Sequence, residues 1–424
     1  MLTSYAFLKK MVLATIASAT SRNSRLQSLQ RLRGMVAAVG APEEKTVNSV
    51  KKRLLLVGGG HAHLFVLEAL RRLPATARST LDVTLITRDL HTPYSGMLPG
   101  LVAGHYRTRE CHVDLTALCA SAGVEIVQGG VSSLDLVANL AYGTEVVLPF
   151  DLISLDIGST PPLHTIPGAE LHGLAVKPID RFLADWRIFQ SQVDRLSRPV
   201  HMVVVGGGAG GVELALAMAH RLQSRRDLVK WSIVSRGTLM AGFPQRASAL
   251  AAARLAAAGV AIRTGVDITR VDAGRLFFAD GSEAAFDQLL WATGSAPQAW
   301  PAASGLQCEA DGCISINAHL QSVSHPQVFA AGDVATDAAQ PRPKAGVFAV
   351  RQGPILADNL LRAASGQALR RYQAQRDYLS LLSTGERHAI ACWYGLVWQG
   401  QWVWRWKNRI DHQFMQRFSA PFER

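Results

Sequence analysis

Two stretches of the chain share one pattern of apolar and polar positions. Arg53 opens RLLLVGGGHAHLFVLEALRRL, and about 150 residues later His201 opens HMVVVGGGAGGVELALAMAHRL. Each begins with an apolar run suited to a strand buried on both faces, turns through glycines, and continues with helical spacing. Each therefore predicts the start of a βαβ unit. Second strands follow in LDVTLITRD (Thr87, Arg88 and Asp89 at its end) and WSIVSRG (Ser235, Arg236). DLISLDIGSTPP and FDQLLWATGSAP are matching later strands that end in small-residue turns, at Gly158 to Pro161 and at Gly294, Ser295 and Pro297. HPQVFAAGDVAT adds a further apolar strand that delivers Gly332 and Asp333. The pattern predicts an α/β chain with two βαβ units on parallel sheets and a small C-terminal strand and helix region.

The glycines carry the chemistry. In G-x-G-x-x-G the first makes the tight turn, the second lets backbone approach a pyrophosphate, and the third lets helix and strand pack closely, leaving N–H groups at the helix start for phosphate. The second copy fits fully with Gly206, Gly208 and Gly211; the first keeps Gly58 and Gly60 but has His63 at the third position. Two copies in strand-turn-helix context suggest two different dinucleotides. Neither second strand ends in an acid that would grip a ribose 2′-OH. Arg236 therefore points weakly toward a 2′-phosphate at the second site, Arg88 stands at the equivalent place in the first, and Asp89 remains an alternative for the first ribose.

Composition narrows the class. The chain has 424 residues, 48% hydrophobic, with 44 Lys+Arg against 32 Asp+Glu and a net charge of +12. Six cations and no acid lie in residues 1–42, and residues 370–424 are also strongly basic, so the body between is near neutral. That distribution argues against nucleic-acid binding, which spreads cations over the folded surface. Five cysteines exclude a secreted disulfide framework, and Cys308 and Cys313 match neither a metal knuckle nor a redox CxxC pair. No metal site is expected. No apolar run approaches the roughly 20 residues that a spanning helix needs. The leader has the Arg and Ser content of an organellar transit peptide, with a disordered basic tail or a start at Met35 as the plainer alternatives.

In order, VGGGHAH, DIGSTP, VVVGGGAGGVELA, WATGSAP and AAGDVA resemble the pyridine nucleotide-disulfide oxidoreductases, a family of two-dinucleotide flavoproteins, over roughly residues 52 to 365. The resemblance implies two Rossmann-like dinucleotide-binding domains, the first interrupted by the second, with FAD at the first turn and NAD(P)H at the second; the expected boundaries are 1–50 for a basic leader, 51–160 and 287–369 for the FAD domain, 161–286 for the NAD(P)H domain, and 370–424 for the tail. Gly58 and Gly60 would face the FAD pyrophosphate, with His61 in the same turn, and Gly332 and Asp333 the ribityl chain. Gly206, Gly208 and Gly211 would face the NAD(P)H pyrophosphate, with Glu213 close to the nicotinamide. Lys344 and Gly346 would sit at a helix start against the flavin's pyrimidine edge, where positive charge stabilises the reduced ring. Tyr94 and Ser95 would line the flavin or the acceptor slot, or only shape a turn.

Disulfide reductases of this family carry Cys-x4-Cys after the first turn, and HLFVLEALRRLPATARST has no cysteine. The chain is instead similar to type II NAD(P)H dehydrogenases, which pass electrons to a quinone. HTPYSGMLPGLVAGHY and RPKAGVFAVRQGP further resemble the oxidoreductase domain found ahead of selenide, water dikinase. The implied partner is a quinone or similar small acceptor, with a homodimer left open. A sulfur or selenium oxidoreductase and a slow flavin-bearing sensor are the competing readings.

The tail holds five of the nine tryptophans between Trp393 and Trp406. GQWVWRWK alternates as a strand does, and Trp402, Trp406, Ile410, Phe414 and Phe418 recur every four residues. This predicts a strand turning into a helix near Trp404. With Arg405, Lys407, Arg409 and Arg417 around it, residues 393–418 would form an interfacial amphipathic helix on an anionic membrane; a lid over the flavin domain or a dimer contact is the alternative. The expected location is cytoplasmic, peripheral on the inner face of a membrane.

Overall fold

A computed structural model of the chain describes residues 51–294 and 296–419; the leader and Ser295 lie outside the described residues. The first unit comprises β1 (Lys52–Val57), α1 (His61–Arg72), β2 (Leu81–Thr87), β3 (Glu125–Gln128) and β4 (Leu152–Leu155). The second comprises β5 (Leu174–Ala175), β6 (Val200–Val205), α2 (Ala209–Arg221), β7 (Val229–Ser235), β8 (Val260–Thr264) and β9 (Gln288–Trp291). The chain then runs through β10 (Val328–Ala330), α3 (Gly346–Ala364), β11 (Ser380–Ser383), β12 (Ala389–Trp393), β13 (Leu396–Gly400) and α4 (Gln401–Phe418).

Two five-stranded parallel sheets result, in the orders β10-β4-β1-β2-β3 and β5-β9-β6-β7-β8. β1 and β6 are central because their runs LLLV and MVVV carry apolar side chains on both faces, as burial under helices on both sides requires. β10 returns to β4, so the second unit is an insertion within the first sheet. β9 pairs with β6, so the strand of FDQLLWATG belongs to the second sheet, whereas the sequence reading starts the return to the first domain at residue 287. The strand stands to its sheet as β4 of DLISLDIGS stands to the first: each pairs with the strand preceding the glycine turn.

The tail is a three-stranded antiparallel sheet followed by α4. The change from strand to helix falls at Gly400, at φ +139°, and not near Trp404. GQWVWRWK alternates in polarity, yet from Gln401 onward it lies inside the helix. Nor is the four-residue stripe one face. On a helix of 3.6 residues per turn it advances about 40° each step, so its ends point about 160° apart. Trp402 and Ile410 are exposed, while Phe414 and Phe418 pack on Phe65 of α1. The buried face is Val403, Lys407, Asp411, Met415 and Phe418. Covering Phe418 completely is worth about 1.5–3 kcal/mol over leaving it in water. Arg417 forks onto the buried Glu68 carboxylate of α1 at 2.7 and 2.9 Å. Lys407 is buried and paired with Asp411 at 2.7 Å. Of the four cations expected to face lipid, only Arg405 and Arg409 remain exposed on the helix without an ion-pair partner among the described residues.

Candidate active site

At the first turn Gly58 sits at φ +92°, and a Cβ there would come 2.5 Å from the Asp156 carbonyl oxygen. One on Gly60 would fall on the Asp156 carboxyl group. The departure at the third position has a structural answer. His63 is fully buried, its Nδ1 lies 2.6 Å from the Gly58 carbonyl, and its Nε2 lies 2.8 Å from Ser154 Oγ. Burial pushes the imidazole down to about 4, so it is neutral. It donates from Nδ1 to Gly58 and accepts from the Ser154 hydroxyl. A bonded side chain here takes the place that the third glycine leaves empty.

His61 is the first residue of α1. Its ring meets Tyr94 and Phe414 edge-on at 5.5 and 5.9 Å, and Tyr94 stacks on Phe414 at 4.2 Å. His61 Nε2 is shielded from solvent and has no hydrogen-bond partner; burial pulls its pKa below the usual imidazole value. The Gly-Asp turn lies alongside. Gln352 accepts the Gly332 N–H at 2.8 Å, and Asp333 takes Lys177 Nζ at 2.8 Å and the Ser159 hydroxyl at 3.1 Å. Burial would raise Asp333, yet Lys177 and Ser159 outweigh it and hold the carboxyl below its ordinary range. Gly346 begins α3 within reach of Ser95 Oγ. Lys344 is no free surface cation: its Nζ donates to the Ala335 carbonyl at 2.7 Å and to Thr336 Oγ1 at 2.6 Å. One small cavity is lined by Gly332, Asp333, Thr336, Lys344, Ala345 and Phe348. The structure thus brings together His61, Tyr94, Ser95, Gly332, Asp333, Lys344 and Gly346. Arg88 is exposed at the end of β2, and His91 is exposed on a short strand.

The second turn is built differently. Gly206 stands at φ +128°, and a Cβ on Gly211 would fall on the Gly206 carbonyl oxygen, so this glycine does provide close helix-strand packing. Gly208 and Gly210 face space with no atom within 4 Å of an added Cβ. That open cradle at the start of α2 fits a pyrophosphate. Arg236 is exposed at the end of β7. Glu213 lies one turn into α2 and accepts the Ser383 N–H of β11 at 2.7 Å. Burial pushes it up to about 7, with Lys407 acting in the opposite direction.

Sequence reasoning did not single out Asp156, Lys177, or the pairing of Lys407 with Asp411; it grouped Gln352 with Arg351 and Gly353 at the flavin's pyrimidine edge, but not its bond to Gly332. A signal existed for Asp156, an acid at the end of the otherwise apolar LISLD. Nothing local marks Lys177, whose partner Asp333 lies 156 residues away; Lys407 and Asp411 stand at the i, i+4 spacing of a helical ion pair, a local signal, but Lys407 also reaches the Gly96 carbonyl, 311 residues away. Among the described residues no cluster of His, Cys, Asp or Glu would hold a metal, and all five cysteines are free thiols. The cofactor fit rests on the shielded, unpartnered His61 Nε2 at the first turn and the open cradle at the second.

The chain is similar to known proteins over most of its length. It is 25% identical over 324 residues to the NADH dehydrogenase-like protein YutJ of Bacillus subtilis, covering 75% of this chain and 85% of that one. It is 26% identical over 354 residues to the demethylphylloquinone reductase NdbB of Synechocystis, covering 80% and 87%. The fold matches NDH2 of Plasmodium falciparum, solved in complex with NADH, with a TM-score of 0.72 at 15% identity, covering 88% of this chain and 100% of that one. Residues 52–353 match the pyridine nucleotide-disulphide oxidoreductase family, and the chain is a member of it.

Proposed function

We propose that the protein is an FAD-dependent oxidoreductase that takes hydride from NAD(P)H and passes electrons to a quinone without a redox disulfide. The observation that carries this is two glycine turns, each at a helix start in its own parallel sheet, with no cysteine in α1. The quinone is supported by the names of the relatives above. Bound FAD supplies the redox chemistry; the protein holds, orients and shields. His61, Gly58 and Gly60 hold the FAD pyrophosphate and Asp333 the ribityl chain. Lys344 and the start of α3 would lend positive charge to the pyrimidine edge of bound flavin. Gly206, Gly208 and Gly211 hold NAD(P)H. Glu213, whose carboxyl burial pushes up to about 7, would lie close to the nicotinamide and hold its uncharged form beside the ring; the proton that the reduced flavin or quinone takes up comes from solvent. Arg236 in place of an acid favours NADPH.

The tail helix serves two roles in this reading. Its C-terminal half closes over α1 through Phe414, Phe418 and Arg417. Its N-terminal part, with Trp402 and Ile410 exposed beside Arg405 and Arg409, rests together with the exposed Trp393, Tyr394 and Leu396 of the β12–β13 hairpin on an anionic membrane that holds the acceptor. Among the described residues no helix is long and apolar enough to cross a membrane.

The test is anaerobic. FAD-loaded protein bleaches with NADPH or NADH, and a soluble quinone reoxidises it faster than air does. Bleaching without faster reoxidation by any quinone sinks the acceptor assignment. Vesicles of anionic lipid should retain the wild type and release the double variant Trp402→Ala, Ile410→Ala with its FAD still bound.

A further inference from the structure

Two glycines of the first cofactor turn and one of the neighbouring Gly-Asp turn are kept free of side chains by one residue. A Cβ on Gly58 would crowd the Asp156 carbonyl, one on Gly60 its carboxyl group, and one on Gly332 would lie 2.9 Å from its Oδ1. Asp156 is 3% exposed and stands at the centre of the turn. Its Oδ2 accepts the N–H groups of Ala62 at 2.7 Å and His63 at 3.0 Å. These are two of the unpaired donors at the start of α1, the groups an anion there would use. The backbone N–H groups of Gly59 and His61 have no protein acceptor among the described residues and are left for a ligand.

The surrounding groups only partly offset the burial of this acid. The N–H groups of Ala62 and His63 and the His61 ring face it from α1 and favour its ionised form, whereas Asp333 faces it from the Gly-Asp turn and opposes that form. The His63 ring is committed to Gly58 and Ser154, burial pulls His61 below the usual imidazole value and so weakens the one cation beside the acid, and Lys177, from the segment after β5, is bound to Asp333. A pyrophosphate in the same turn would therefore confront a second, poorly compensated negative charge in a poorly solvated place if Asp156 were ionised.

We propose that Asp156 is a neutral carboxylic acid when FAD is bound, so that FAD binding takes up one proton from solvent at this side chain and loss of that proton expels the cofactor. The inference rests on the assignment of FAD to the first turn. The neutral acid keeps an acceptor oxygen for Ala62 and His63 and adds one O–H donor. Burial already pushes the carboxyl up to about 6 before any ligand anion is added, and the ligand's charge moves it further the same way. Below that pH the acid is neutral in both states and affinity is flat. Above it, affinity falls by about tenfold per pH unit until the bound form also ionises.

The experiment follows FAD release from purified full-length holoenzyme, by recovery of flavin fluorescence on dilution, from about pH 5.5 to pH 8.5. The apparent Kd of the wild type should rise by about tenfold or more between pH 6 and 8. Asp156→Asn, which cannot ionise, should be flat over that range, and His61→Gln should keep the wild-type slope. A flat wild type, a slope that survives in Asp156→Asn, or one that vanishes in His61→Gln overturns the proposal. If Asp156→Asn does not fold, the wild type and His61→Gln decide it between them. A preparation that carries no FAD at any pH overturns the cofactor assignment itself, whereas FAD-loaded protein with flat affinity overturns only the proton coupling.

Discussion

The two glycine turns begin from almost the same residues, GGGHAH and GGGAGG, and are built to opposite ends. The first is crowded: Asp156 fills it, His63 bolts Gly58 to Ser154, and Phe414 and Tyr94 press on His61. The second keeps its third glycine and opens Gly208 and Gly210 onto empty space. A turn enclosed by side chains from four elements suits a cofactor that stays. An open turn suits one that arrives and leaves at each turnover. The same local motif therefore says what class of group is held, and the neighbours decide how long.

Substitutions that exchange the properties of the two turns test this contrast. Gly60→Ala should have the largest effect, because the new methyl would fall on the Asp156 carboxyl: FAD content and activity should drop to background, read by the flavin absorbance of the purified protein. Gly211→Ala meets backbone in the other turn, and should raise the KM for NAD(P)H by about tenfold or more, equivalent to about 1.4 kcal/mol or more, with FAD retained. Equal loss of FAD in both variants would break the distinction.

His63→Gly restores the standard motif and should nonetheless destabilise the protein by about 1–3 kcal/mol, since it strands the buried Ser154 hydroxyl and Gly58 carbonyl. A denaturant titration that shows a gain in stability would refute the role given to His63. Glu213→Gln should have a few-fold effect at neutral pH and a distinctive pH signature. The folded protein raises this carboxyl from its ordinary 4.5 to about 7, so its neutral form is favoured by the fold. The associated stability is present below about 4.5 and lost as pH rises through 7. Thermal stability should therefore fall as pH rises over that window in the wild type and stay flatter in Glu213→Gln, and the inflection in hydride-transfer rate near pH 7 should disappear. The smallest effect is expected from Arg236→Glu, a shift of about two- to fivefold from NADPH toward NADH in kcat/KM, as befits one exposed cation.

Much of the fold was legible because it is written in short-range patterns. The apolar runs of β1 and β6, the glycines after them and the helical spacing of α1 and α2 each lie within about 20 residues, so a local pattern is enough to mark each unit. The tail shows where such reading stops. Its four-residue stripe from Trp402 to Phe418 looks like one membrane-facing stripe, but a helix winds that stripe onto different neighbours, so Phe418 is buried under α1 contacts while Trp402 stays in solvent. The charges misled in the same way: Lys407 and Arg417 look like surface cations and are held by Asp411 and by Glu68.

By itself the sequence determined the two units, their order, the positions of both phosphate turns and the absence of a dithiol after the first. Only the tertiary structure decided that Asp156 and His63 close one turn while the other stays open, that Lys177 reaches Asp333, and that half of the aromatic tail is core. The physical reason is separation along the chain. A glycine turn needs only its own few residues to take its shape, whereas the burial and charge state of a carboxyl or an imidazole depend on groups brought in from 90 to 350 residues away, which no local pattern contains.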